Sequence, residues 1–132
     1  MQIEVLVRLV DVQRAFRRLL ARLPDETQAG ADFMVFGVNG NSLEIVGEET
    51  SELLRCTVVH PGCARVPLSV FCGIARSLRF HHPNSIAIVL SPGSLKIDRT
   101  EYRHPSISVV ALGKGQATVG QSLQNYKTSS RL

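Results

Sequence analysis

Apolar residues at three- and four-residue spacing predict an amphipathic helix near the N-terminus. The residues that share one side of a helical wheel are Val12, Phe16, Leu19, Leu20 and Leu23. Such a stripe is typical of a helix that packs one face against a core. Asp11 is the predicted N-cap, and Pro24 is predicted to end the helix.

A second helix is predicted to begin at Pro67, because proline lacks the N–H that the first helical position leaves unpaired. The predicted apolar side consists of Val70, Phe71, Ile74 and Leu78. The predicted polar side consists of Ser69, Cys72, Arg76 and Arg79. The two helices form an internal repeat with an offset of 58 residues, in which Arg18 corresponds to Arg76.

Seven strand-like segments, the first of them alternating and rich in β-branched residues, predict strands around these helices. They cover residues 2–9, 31–38, 42–46, 52–59, 85–90, 94–98 and 106–112. Asn39-Gly40-Asn41 separates two of them and is a strong hairpin signal. Each half of the chain is therefore predicted to be a strand, a helix and three strands. This pattern indicates an α+β fold with both helices on one face of an antiparallel sheet.

Length and composition indicate a single globular domain. The chain has 132 residues, of which 44% are hydrophobic and 20% charged, and its apolar runs fall short of the ~20 residues that span a membrane. We expect one domain over residues 1–112. Residues 113–132 are rich in Gly, Ser, Thr and Gln and are predicted to be a flexible tail outside the fold, although Val119, Leu123 and Tyr126 offer local apolar contacts.

The N-terminal segment predicts the cellular compartment. It contains Glu4 and lacks the basic-then-apolar order of a secretory signal. We therefore expect a cytoplasmic protein without a membrane anchor, whose three cysteines are reduced.

The side of the first helix opposite its apolar stripe is strongly basic. It carries Arg14, Arg17, Arg18 and Arg22 without an acidic residue among them. Solvated helices usually mix signs, because each opposite pair stabilises by about 0.3 kcal/mol. A single-sign stripe on a chain of net charge +4 indicates an anionic partner. Seven of the eleven acidic residues lie between Asp25 and Glu52, which predicts a separate acidic surface.

The reactive side chains do not form a recognisable catalytic or metal motif. The candidates are Cys56, His60, Cys63, Cys72, His81, His82 and His104. Their spacings match no common zinc pattern, and the sequence has no phosphate loop, nucleophile elbow or paired carboxylates. We therefore predict no enzyme activity, cofactor or metal. The less favoured alternative is a thiol or metal enzyme that uses Cys56, Cys63 or Cys72 with His60, since an exposed Cys72 beside Arg76 would have a lowered pKa.

Two segments resemble the bacterial DNA sliding clamps. Gly62-Cys63-Ala64-Arg65-Val66-Pro67, followed by Phe71, Ile74, Arg76 and Leu78, resembles the family's segment in which a Gly-containing turn and a Val-Pro step open the second helix. Residues 33–46, with Asn39-Gly40 and Leu43, resemble its first hairpin. The duplicated β-α-β-β-β unit over residues 2–112 thus resembles one domain of the DNA polymerase III beta subunit or of proliferating cell nuclear antigen.

The resemblance implies a function as well as a fold. In that family six domains close into a ring, with helices facing duplex DNA and sheet outside. It implies a phosphate-facing surface formed by Arg14, Arg17, Arg18, Arg22, Arg76 and Arg79, with the acidic hairpins on the outside. Bacterial clamps carry three domains per chain and the eukaryotic type two, so a ring of this one-domain chain would need six copies.

The implied partners are duplex DNA, bound without regard to base sequence, further copies of the chain joined through sheet edges, and replication or repair proteins. An alternative is a protein-interaction module of the same fold that does not encircle DNA.

Overall fold

A computed structural model describes residues 2–23, 33–47, 50–77 and 85–111. Its elements in chain order are β1 (Ile3–Arg8), α1 (Leu9–Arg22), β2 (Phe33–Asn39), β3 (Ser42–Gly47), β4 (Thr50–Arg55), β5 (Thr57–His60), β6 (Gly62–Pro67), α2 (Leu68–Ser77), β7 (Ser85–Ser91), β8 (Ser94–Ile97), β9 (Thr100–Arg103) and β10 (Ser108–Ala111). The predicted tail over residues 113–132 lies outside the described residues. None of the described helices is long and apolar enough to cross a membrane.

The strands form two five-stranded sheets in which every neighbouring pair is antiparallel. Sheet A has the order β5-β1-β7-β8-β9, and sheet B has the order β10-β6-β2-β3-β4. The predicted α+β class is confirmed, with the antiparallel strands divided between two sheets. Each sheet takes strands from both halves of the chain, so neither half is a separate unit.

The two halves are related by a pseudo-twofold axis. Exchanging each strand for its counterpart in the other half, β1 for β6 and β2 for β7 and so on, converts the order of sheet A into that of sheet B. The register agrees as well: Leu6 lies opposite Ala87 in one sheet, and Arg65 lies opposite Val35 in the other. Each half therefore contains four strands after its helix, one more than the sequence predicted.

The additional strand has a different origin in each half. The predicted strand over residues 52–59 divides at Cys56, where the chain passes from sheet B to sheet A and the Cys56 amide donates to the Asn41 carbonyl at 2.9 Å. In the second half, β9 contains Tyr102 as its one apolar residue, so alternation did not reveal it.

The offset of the repeat is 59 residues, and the predicted 58 is wrong by one. Leu9 and Leu68 open the two helices. The buried positions that coincide at this offset are Leu9 with Leu68, Val12 with Phe71 and Ala15 with Ile74. Arg17, not Arg18, is therefore the counterpart of Arg76.

The core lies between the inner faces of the two sheets and the buried faces of both helices. The ring centre of Phe71, on α2, lies 5.0 Å from that of Phe16 on α1 and 6.2 Å from that of Phe36 on β2. These three fully buried rings join the two helices to sheet B. The helices contact each other, α1 also contacts β1 and β4, and α2 contacts β2 and β6.

Two local predictions about the helices are wrong. Helix α1 begins at Leu9 with Arg8 in the N-cap position, so Asp11 lies in the first turn. There its carboxylate still interacts favourably with the positive end of the helix dipole. Cys72 was predicted on the exposed side of α2 but has 1% of its surface exposed. Helix α2 packs against both α1 and sheet B, so its buried face is wider than the apolar stripe indicated.

Candidate nucleic-acid interface

The exposed sides of the two helices carry most of the arginines predicted to bind DNA. Arg14, Arg17, Arg18 and Arg22 are exposed on α1, and Arg76 is exposed near the end of α2. Helix α1 contacts α2, and we refer to the outward sides of these two helices, with these arginines, as the basic surface. Arg79 lies outside the described residues.

Two of these arginines share an acidic partner that the sequence did not reveal. Arg18 Nε donates to Glu52 Oε1 at 2.6 Å, and Arg22 Nη2 donates to Glu52 Oε2 at 3.1 Å. Arg22 Nη1 also donates to Thr50 Oγ1 at 3.2 Å. The side chain of Glu52 is 11% exposed, so the two guanidinium groups cover most of it. The predicted separation of the acidic hairpin region from the arginines is therefore wrong at Glu52.

The position of β4 explains this contact. Thr50, Glu52 and Leu54 alternate with outward residues and face the helices, and β4 packs beside α1. The sequence offered one signal for this contact: a carboxylate on the inward side of a strand needs a partner, because a buried charge without one is costly. The sequence separation of 30 residues or more hid which partner it was.

Two further arginines of this surface lack such compensation from the described residues. Arg14 and Arg17 form no ion pair with another described residue. Beside Arg76 the outward side of α2 carries Ser69 and Gly73, and a Cβ atom added at Gly73 would meet nothing within 4 Å. The surface therefore combines guanidinium groups with small side chains that leave the α2 backbone approachable.

Comparison with known proteins identifies the fold through structure and not through sequence. No protein-family model and no curated protein matches the chain in sequence. A Caulobacter crescentus beta sliding clamp has a TM-score of 0.58 at 11% identity, over 89% of this chain and 32% of that protein. A second Caulobacter crescentus structure, of the polymerase III beta protein, has a TM-score of 0.51 at 12% identity, over 87% of this chain and 32% of that one. This chain has the fold of a sliding-clamp domain.

A third structure agrees and defines the extent of the likeness. A Eubacterium rectale protein assigned to the DNA polymerase III beta subunits has a TM-score of 0.56 at 10% identity, over 84% of this chain and 30% of that protein. The chain thus spans about a third of the length of the clamps it resembles. At identities this low, the structural likeness establishes the clamp-domain fold alone. The function has to be argued from the chain's own residues.

Within this clamp-domain fold the described members of the predicted reactive set do not come together as a metal site. Cys63 and Cys72 are buried, and burial also raises the pKa of the Cys56 thiol, which opposes formation of the nucleophilic thiolate. Among the described residues no three of the His, Cys, Asp and Glu side chains come together as metal ligands would. His81 and His82 lie outside the described residues. The geometry therefore does not support the thiol-enzyme alternative at Cys63 or Cys72.

Proposed function

We propose that this chain associates with duplex DNA, without regard to base sequence, through the basic surface of α1 and α2, and that it has no catalytic activity. The supporting observation is the placement of Arg14, Arg17, Arg18, Arg22 and Arg76 on the outward sides of two adjacent helices. Arg79 belongs to the proposed surface by sequence. Sequence-independent attraction to phosphate needs only positive charge at the right distance.

Titration with two short duplexes of unrelated sequence tests this function. The two dissociation constants should agree, and log K should fall linearly with log salt by about 0.9 for each phosphate neutralised. Binding by a single copy should be weak, because few phosphates are contacted. Strong preference for one duplex, or absence of binding by the assembled protein at low salt, would contradict the proposal.

Freeing Arg18 and Arg22 from Glu52 gives a second prediction about DNA binding. Replacing Glu52 by Gln removes the carboxylate that holds Arg18 and Arg22. DNA affinity should rise, and the salt slope should steepen by up to about 2 if both freed guanidinium groups reach phosphates. Fluorescence anisotropy across a salt series measures both quantities.

The matched control for this variant is Glu101→Gln, which changes the net charge equally. Glu101 pairs with Arg103 on β9, an edge strand of sheet A. Its replacement should leave DNA binding unchanged. An equal gain from both variants would mean that net charge alone, and not the release of Arg18 and Arg22, controls affinity.

We also propose that copies of the chain assemble through sheet edges into a ring or partial ring. The four edge strands are β4, β5, β9 and β10. Unpaired N–H and C=O groups along an edge invite another strand. Charged Glu101 and Arg103 flank the β9 edge, whereas β10 has the small or apolar sequence Ser-Val-Val-Ala with Val110 exposed.

Sedimentation at micromolar concentration tests this assembly. The wild-type chain should sediment as species heavier than 14.5 kDa, up to six times that mass for a closed ring. Replacing Val110 by Lys should reduce the mass, because an edge lysine blocks strand addition. Ser106→Lys adds the same charge outside the strand and should have no effect. A wild-type chain found only as the monomer would rule out ring closure by this chain alone.

A second candidate function is a protein-interaction module of the same fold, and replication or repair factors are the proposed partners in either case. Exposed apolar side chains on the sheets favour it. They are Leu6, Leu53, Val59 and Val110. Leu53, on edge strand β4, has 68% of its surface exposed. Absence of DNA binding would make this module the preferred function.

A further inference from the structure

Strand β4 is the longest edge strand of the two sheets in the described part of the chain. It has six residues, whereas the edge strands β5, β9 and β10 have four each. All six residues of β4 pair in regular register with β3, and no described strand pairs with its other side. Unpaired N–H and C=O groups along such an edge accept a further strand. The edge of β4 is therefore long enough for an extended segment of another chain.

The outward side of β4 carries an exposed apolar residue near its centre. Leu53 has 68% of its surface exposed, the most of the large apolar side chains among the described residues. Ser51 and Arg55 lie two residues away on the same side, and both are exposed. Arg55 forms no ion pair with another described residue. This side of the edge therefore offers an apolar contact at Leu53 and a positive charge at Arg55.

The inward side of β4 is flanked by positive charge from α1. The guanidinium groups of Arg18 and Arg22 share the single carboxylate of Glu52, so this group of three keeps one net positive charge. In its contacts with described residues Arg18 donates only through Nε, and Arg22 donates once through each terminal nitrogen, although a guanidinium group has five N–H donors. The two side chains are 53% and 47% exposed. Further N–H donors are therefore available to a carboxylate beside Glu52.

We propose that the edge of β4 binds an extended segment of another protein, which adds antiparallel to β4 and places an apolar residue opposite Leu53 and acidic residues opposite Glu52 and Arg55. This inference rests on the second candidate function above, a module that binds proteins, and names its site and the chemistry of its partner. In an antiparallel pair the residue opposite Glu52 follows the one opposite Leu53, and the residue opposite Arg55 precedes it by two. The partner segment therefore has the order acidic, any residue, apolar, acidic.

Charge balance favours this partner over an uncharged or basic strand. Like charges directly opposite each other in an antiparallel pair are destabilising. Because Arg18 and Arg22 hold Glu52, a second carboxylate brings their group to neutrality and not to a net negative charge. The other acidic residue pairs with Arg55, whereas a basic residue at either position would add to a positive charge. Edge strand β10, proposed above for assembly between copies, carries no charged residue.

Two peptides of equal composition test this site. The probe is Thr-Glu-Val-Leu-Glu-Thr-Thr with both ends blocked. The control, Thr-Glu-Val-Glu-Leu-Thr-Thr, exchanges the leucine with the glutamate after it, so no antiparallel register places leucine opposite Leu53 and glutamate opposite Glu52. In nuclear magnetic resonance titrations of the isotopically labelled full chain, the probe should shift signals centred on β4. The dissociation constant of the control should be at least about tenfold higher.

Two replacements on β4 should change the affinity for the probe in opposite directions. Leu53→Ser removes the apolar contact and should weaken binding about tenfold. Glu52→Gln removes the like charge opposite the acidic residue of the probe and should strengthen binding several-fold. The matched control for the first replacement is Leu6→Ser, at an exposed leucine of sheet A, which should leave binding unchanged. The spectrum of each variant without peptide shows whether it is folded.

Hydrogen exchange distinguishes strand addition from a contact between side chains alone. An added strand accepts hydrogen bonds from the alternate N–H groups of β4 that point away from β3, so their exchange should slow when the probe is bound. The N–H groups of edge strand β9 should exchange at the same rate with and without the probe.

Several outcomes would overturn this site. No shift on β4 at about 1 mM probe, or equal affinity for the two peptides, would show that the edge does not select this segment. Shifts centred on Leu6 or Val59 would move the site to sheet A and leave the second candidate function standing. Shifts of β4 when the chain alone is concentrated would assign the edge to a second copy. The duplex titrations contain no peptide, so none of these results decides the proposed association with DNA.

Discussion

Reversal of Arg17 and Arg76 to glutamate is expected to abolish detectable binding to duplex DNA at physiological salt. Both residues are exposed, and they occupy equivalent positions at the 59-residue offset of the two helices. Loss of two phosphate contacts should reduce the salt slope by about 2, and the introduced carboxylates repel the duplex as well. Arg17 is a better target than Arg18, whose reversal would also break its contact with Glu52.

The matched control for this experiment is reversal of Arg55 and Arg99, which changes the net charge equally. Arg55 lies on β4 and Arg99 lies between β8 and β9, and both are exposed. This control should keep DNA affinity near the wild-type value, and circular dichroism should show that both double variants are folded. Equal binding by the wild type and the Arg17 and Arg76 variant at low salt would show that the helices do not contact DNA.

Replacing Phe71 by Ala should lower the free energy of unfolding by about 3–5 kcal/mol. Its ring is fully buried and lies between Phe16 and Phe36, so truncation loses aromatic contacts on two sides and leaves a cavity where α1, α2 and sheet B meet. A loss of this size is a large part of the roughly 5–15 kcal/mol that stabilises ordinary domains. Urea unfolding followed by circular dichroism measures it.

Gly73→Ala is the control on the same helix and should have the opposite sign. Gly73 is exposed, and an added Cβ atom would meet nothing within 4 Å. Alanine in the interior of α2 should therefore stabilise the protein by about 0.5–1 kcal/mol. If Phe71→Ala costs less than about 1 kcal/mol, the aromatic cluster is not the centre of the core.

Local signals were sufficient for the helices and the first hairpin. The apolar stripe of Val12, Phe16 and Leu19 predicted α1, because helical periodicity depends only on the spacing of residues close in the chain. Asn39-Gly40-Asn41 predicted the turn between β2 and β3, where Gly40 has a φ of 61°, a conformation that glycine adopts without a steric penalty. The duplicated order of elements could also be predicted from local patterns, and its resemblance to the clamp family predicted the clamp-like fold.

Tertiary structure decided how these elements are combined. Residues 52–59 form one strand-like segment in the sequence, without glycine or proline to divide it, and only the pairing of β4 with β3 and of β5 with β1 reveals the change of sheet at Cys56. Burial of Cys72 depends likewise on α2 being enclosed by α1 and sheet B.

The candidate interface shows the same division. The arginine stripes were visible in the sequence because helical spacing determines which residues share a side. Their compensation by Glu52 was not, because β4 meets α1 only after the sheets have formed and packed. Periodicity and turn chemistry act between residues close in the chain, whereas ion pairing and burial depend on which distant elements come into contact.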